Sequence, residues 1–207
     1  MLTNNLLYRI PALLIALTFH EFAHGWVAHR LGDDTAKSHG RLTLNPLAHL
    51  DPLGLLAIWL VGFGWAKPVP VNPYYFRGDR RRGMFLVGLA GPLTNFLLAF
   101  VIALLLAVVP ALYVHSVVRE IIITAFWYNA LLGVFNLLPV PPLDGSKVFA
   151  YLLPRSAAHA FGQIEQYGPM ILILLIFTGV LGRILMPMAF AAANIILALA
   201  GLLANVF

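Results

Sequence analysis

Apolar residues run through this chain in long uninterrupted blocks, not in the alternating or one-sided patterns of a soluble domain. The blocks cover about Leu6 to Arg30, Gly83 to about Val114, Ile121 to Leu138, about Gly168 to Gly182, and about Ile184 to the C-terminus. A helix needs about 20 apolar residues to cross a bilayer, so the pattern predicts an all-α polytopic membrane protein with about five full transmembrane helices. Pro11 sits near the start of the first block, where a helix tolerates proline. Arg183 and Pro187 are expected to mark a turn between the last two spans. Between the first and second spans the pattern changes. Residues Thr35 to Pro52 are polar and end in two X-Pro steps that forbid a continuous helix. The apolar run Leu53 to Gly64 is too short to span and reads as a re-entrant or membrane-edge segment. The prolines and valines of Gly64 to Pro73 then predict a short β segment, an extended edge strand.

Composition fixes the class. Of 207 residues 61% are hydrophobic and 10% charged, against about 25% charged in soluble domains, so water could not wet the surface of this fold. The net charge of +5 does not indicate nucleic acid, because the basic residues lie in loops beside apolar spans. Arg77, Arg80, Arg81 and Arg82 crowd one such loop and assign it to the cytoplasmic side. The absence of cysteine removes disulfides and thiolate metal sites. The first span is not a cleavable signal peptide on this reading, since no small-residue cleavage site precedes its polar residues.

Those polar residues are where chemistry is expected. His20 and His24 are four apart, so on a helix they share one face and can reach one metal ion; Glu21 falls beside them, in reach of a water on that metal. A carboxylate deep in a span costs about 2.5–3.5 kcal/mol on insertion scales and needs a partner or a purpose. The competing explanation is a pair of core histidines bonded to a neighbouring helix. Asp144 follows a helix broken by Pro139, Pro141 and Pro142. With alternating spans it arrives at the depth of the histidines, which supports a shared site. Capping a helix that starts near Ser146 is its simpler role, and Gly145 is expected to adopt a backbone conformation closed to other residues. Asn95, in a span free of charge, either bonds another helix or supports the metal site; His49 and Asp51 read as loop-bonding residues before extra ligands. Lys67 reads as an interfacial charge or a contact for substrate.

Taken together, HEFAHG, NPLAHLDPLG, GWAKPVPVNP, AGPLTN and NLLPVPPLDG, in that order over residues 13–150, resemble the site-2 protease family of intramembrane zinc metalloproteases. The resemblance implies that His20, His24 and Asp144 bind one zinc per chain, that Glu21 is the general base, and that Asn136 holds the peptide or stabilises the oxyanion. It implies a minimal member without PDZ or CBS domains. The whole of residues 1–207 would then be one integral-membrane metalloprotease domain, with a catalytic core over about 6–150 and two C-terminal helices over about 166–207. The expected activity is hydrolysis of peptide bonds within or near transmembrane segments of membrane-protein substrates, in regulated intramembrane proteolysis. The expected setting is a prokaryotic cell membrane, with the site opening toward the cytoplasm. A membrane zinc transporter is the alternative; it would place ligands near the midplane and polar groups in several spans. A catalytically dead scaffold is a second, opposed by the intact His20, Glu21, His24 and Asp144.

Overall fold

The computed structural model describes residues 6–54, 65–109 and 116–205. Its helices are α1 (Leu6–Arg30), the short α2 (Thr35–Ser38), α3 (Arg80–Val108), α4 (Ser116–Leu137), α5 (Asp144–Leu152), α6 (Arg155–Glu165), α7 (Gly168–Phe177) and α8 (Val180–Ala204). Four of them, α1, α3, α4 and α8, are long and apolar enough to cross a membrane, or five spans result if α6 and α7, bent by 69°, count as one.

Small side chains set the packing. Lipid tails are as apolar as leucine, so helices associate in a bilayer chiefly where small residues let backbones approach. Ala12 and Ala16 of α1 accordingly bury against Ala125 and Tyr128 of α4. Ala99 and Ala103 of α3 meet Phe126 and Ala130 of α4, and Ala193, Ile196 and Ala200 of α8. Large residues such as Leu93, Leu97, Ile195 and Leu199 face outward, where a bilayer would cover them. At these helix contacts small residues lie inside and leucines outside, the inverse of a soluble core.

Contacts along each pair give the helix directions. His24 meets Val87 while Ala16 meets Asn95, so α1 and α3 are antiparallel. Leu181 packs with Leu138 and Leu143, while Phe190 stacks on Trp127 with ring centroids 5.2 Å apart, so α8 runs antiparallel to α4.

Two local expectations change, and a third falls largely outside the described residues. The predicted edge strand is not a strand among the described residues: Ala66 forms a single antiparallel bridge with Leu50, and the chain beyond is irregular up to a 3-10 turn at Pro73–Tyr75. Pro68, Pro70 and Pro73 supply no N–H, which leaves too few donors for a ladder. The re-entrant reading of Leu53 to Gly64 falls largely outside the described residues. Between the last two helices the turn lies at Thr178 and Gly179, not at Arg183 and Pro187, which are inside α8. Gly179 supplies the reason, with a left-handed φ of 72° that starts the turn, while Pro187 is accommodated within the helix.

Candidate metal centre

His20 and His24 project from one face of α1 into the bundle, and both are buried. The helix opposite makes room for them at Gly91: a Cβ there would sit 2.5 Å from His20 Cε1 and 2.5 Å from His24 Nε2. Only glycine lets α3 come this close. The proline-broken segment 139–143 then delivers Asp144 from the end of α4. Helix α5 begins at Asp144 itself, two residues earlier than Ser146, so Asp144 occupies the first turn and caps nothing. Gly145 is required here for contact, not for an unusual φ. Its Cβ would lie 2.3 Å from the Leu137 carbonyl, so the end of α4 rests directly on the start of α5.

Three ligand atoms converge as a result. His20 Nε2 and His24 Nε2 are 3.0 Å apart, and Asp144 Oδ2 lies 3.1 Å from the first and 2.9 Å from the second. Each imidazole is already committed at its other nitrogen: His20 Nδ1–H donates to Asn95 Oδ1 at 2.7 Å, and His24 Nδ1–H to the Val87 carbonyl at 2.7 Å. In the neutral tautomer so fixed, both Nε2 atoms present lone pairs. Two lone pairs and a carboxylate oxygen facing one another in a buried site repel unless a cation lies between them. Tetrahedral zinc, with bonds of about 2.0–2.1 Å, holds its ligand atoms about 3.3 Å apart. The three residues fit such an ion, and they are the group of three or more His, Asp or Glu among the described residues with the spacing to hold one. The other carboxylate oxygen, Asp144 Oδ1, accepts from Lys147 Nζ at 2.9 Å, which leaves Oδ2 for the metal.

Glu21 reaches the chain between α1 and α3. Its Oε2 accepts the backbone N–H of Val69 at 2.8 Å, and Val69 rests on α1 at Gly25, where a Cβ would meet Val69 Cγ1 at 3.2 Å. The segment that covers Glu21 is pinned from several sides. Arg41 Nη2 donates to the Lys67 carbonyl at 2.5 Å, Lys67 N–H to the His49 carbonyl at 2.9 Å, and Asn72 N–H to the buried Asp33 Oδ2 at 2.6 Å. His49 and Asp51 serve the loop, not the metal. His49 Nε2–H donates to the Thr43 carbonyl at 2.8 Å, and Asp51 accepts from Leu53 N–H and Trp65 Nε1–H. The N–H of Gly54 foremost, with those of Leu53 and Trp65, holds the Asp51 carboxyl below the usual carboxylate range. The Lys67 side chain is exposed. Asn136 lies half-buried in the last turn of α4, one residue before the Leu137 that abuts Gly145.

Asn95 bonds other helices, as expected, and its Oδ1 also accepts from His20. Its Nδ2 donates to the Ala16 carbonyl at 3.1 Å and to Asn129 Oδ1 at 2.9 Å. Asn129 is the residue the sequence reading passes over. It is fully buried in α4; an amide in the middle of a span needs partners, but the sequence does not say which.

A sequence model of peptidase family M50 matches residues 8–116 and 108–179. YwhC of Bacillus subtilis (strain 168), provisionally described as a zinc metalloprotease, is 40% identical over 203 residues, covering 93% of this chain and 90% of that protein. Rip2 of Mycolicibacterium smegmatis, described in the same way, is 34% identical over 181 residues, or 84% of this chain and 68% of its own length. MJ0611 of Methanocaldococcus jannaschii, again so described, is 34% identical over 134 residues, 64% of each chain. No solved structure matches.

Proposed function

Because the chain belongs to peptidase family M50, the site-2 protease family of zinc metalloproteases, we propose that it hydrolyses peptide bonds within or beside transmembrane segments of membrane proteins. The observation that carries this reading is the convergence of His20, His24 and Asp144 inside a bundle of membrane-length helices, with Glu21 next in sequence to a ligand. One zinc per chain would be held by His20 Nε2, His24 Nε2 and Asp144 Oδ2. A zinc ion with three protein ligands supplies a water of pKa near 7 and polarises the scissile carbonyl.

The chain's own residues supply the rest. Glu21 takes up a proton from the attacking water and delivers it to the leaving amine nitrogen. The Val69 N–H holds Glu21 Oε2, so Oε1 is the oxygen left for proton transfer. Asn136, at the α4–α5 junction, donates its amide to the substrate carbonyl or to the oxyanion that forms there. A helical substrate has its carbonyls bonded within itself and must unwind to be cut. A prokaryotic cell membrane is the setting proposed, with the site opening to the cytoplasm and the role that of regulated intramembrane proteolysis.

Glu21→Gln tests this. The variant keeps the shape of the side chain and loses the proton acceptor. Purified protein is expected to retain one zinc by elemental analysis while cleavage of a transmembrane substrate in detergent falls at least about 10²-fold. Cleavage near the wild-type rate overturns the mechanism. A zinc transporter would instead show flux across sealed vesicles, altered in the variant, and no cleavage by the wild type.

A further inference from the structure

We infer that Asn129, on α4, is a positioning residue for the metal centre, acting through Asn95 to fix the tautomer of His20. The inference rests on the reading of His20 as a zinc ligand. Three helices contribute to the chain of bonds, and the chain has a fixed direction. Its far end is the Ala125 carbonyl, which can only accept, so the atom bonded to it at 2.8 Å is the Asn129 amide nitrogen. Asn129 must then present its oxygen to Asn95, and Asn95 must answer with Nδ2, 2.9 Å away. The Ala16 carbonyl, 3.1 Å from the same nitrogen, makes the same demand. Asn95 is left with only its oxygen for His20 Nδ1, 2.7 Å away, and His20 must donate there. Its Nε2 is thereby bare, 3.1 Å from Asp144 Oδ2.

Turning the Asn95 amide over would reverse the outcome. Its oxygen would face two acceptors, and its nitrogen would require His20 Nδ1 to accept, moving the ring proton to Nε2 where a metal must bind. Ala16 alone opposes that flip with one bond; Asn129 supplies the second. Both amides are fully buried, at 0% exposure, so water cannot substitute for either partner. Helix α4 thus does more than lead the chain toward Asp144: it sets which nitrogen of His20 is free.

The test compares two near-isosteric variants. Asn129→Leu removes the acceptor, whereas Asn129→Asp still offers Asn95 an oxygen in either protonation state. Zinc affinity is measured by chelator competition on the purified full chain, and ligand geometry by the visible absorption of the Co(II)-substituted protein. Loss of a group that orients a ligating histidine typically costs 10–100-fold in metal affinity. Asn129→Leu is expected to bind zinc about tenfold more weakly, with a changed Co(II) spectrum, and Asn129→Asp to return affinity to within about twofold of wild type. If Asn129→Leu does not fold, Asn129→Ala makes the same comparison. Wild-type affinity and an unchanged spectrum in a folded Leu or Ala variant overturn the inference. His20→Ala separates the two readings. Zinc lost in His20→Ala but kept in Asn129→Leu defeats only the role of Asn129; zinc kept in His20→Ala defeats the ligand assignment beneath it.

Discussion

At the scale of single residues, the centre is built by what is missing as much as by what is present. Gly91 contributes no atoms to it, yet any side chain there would collide with both imidazoles, since a Cβ would approach each to 2.5 Å. Gly91→Ala is therefore expected to displace the histidines or push α3 away. A misplacement of about 1 Å at a catalytic site can cost 10²-fold in rate, so activity should fall by about that factor and bound zinc should drop with it. Equal kcat and zinc content in Gly91→Ala and wild type would show that the two helices can part at no cost. This scale also marks where the sequence is legible. His20, Glu21 and His24 stand out because polar groups at helical spacing in an apolar block admit few explanations. Asp144 stands out because three prolines precede it. Asn129 does not, because a lone amide in a span reads as one more interhelical bond until its partners are known. Gly145 was noticed for the wrong property: sequence signals a special φ and a close approach with the same letter, and only the Leu137 carbonyl decides between them.

Among the elements, the weakest to read and the most consequential is the segment between α1 and α3. Its valines and prolines are the composition of an edge strand, but alternate residues that lack an N–H cannot sustain a ladder. What holds the segment is a set of side chains that the local sequence does not connect with it: Asp33, Arg41 and Glu21. Asp33 is fully buried and accepts from Thr35 N–H and Thr35 Oγ1–H as well as from Asn72 N–H. Asp33→Ala strands these donors, and an unsatisfied buried donor costs about 1–3 kcal/mol. The segment should then lift from α1 more often while the helices stay packed. A cysteine placed at Val71 should react with a thiol reagent at least about fivefold faster in the Asp33→Ala background, since about 1 kcal/mol shifts an opening equilibrium by that factor. An unchanged rate would mean that the contacts of Glu21 and Arg41 suffice. The long helices, by contrast, were legible, α1 to the residue and the others to within about six residues at their ends, because a bilayer leaves a 25-residue apolar block few alternatives to a helix.

For the whole molecule, the apolar blocks give five spans by length, but the packing argues for four crossings. Helix α7 has ten residues, about 15 Å of rise, which is half the hydrocarbon thickness. Both ends of α7 lie against the connection from α4 to α5: Gly168 abuts Pro141, and Leu181, just past the turn that follows α7, packs with Leu138 and Leu143. Block length cannot reveal this, because a half-span whose side chains face lipid is as apolar as a full one. With α1, α3, α4 and α8 alternating in direction, the Leu6 end of α1 and the Ala204 end of α8 share a face. The α1–α3 connection, Asp144 and the start of α8 share the other. Of the thirteen Lys and Arg residues, all but Arg9 and Arg119 fall on that second face, so the positive-inside rule predicts a cytoplasmic location for it. The chain has no native cysteine, so single cysteines report cleanly. Gly78→Cys should react with an impermeant maleimide only after the cells are opened, and Asn205→Cys should react in intact cells. Five full crossings would instead put Asn205 on the same side as Gly78, protected until lysis. Protection at Asn205 alongside protection at Gly78 therefore restores the fifth span. Labelling of Gly78→Cys in intact cells reverses the orientation and turns the metal centre toward the outside.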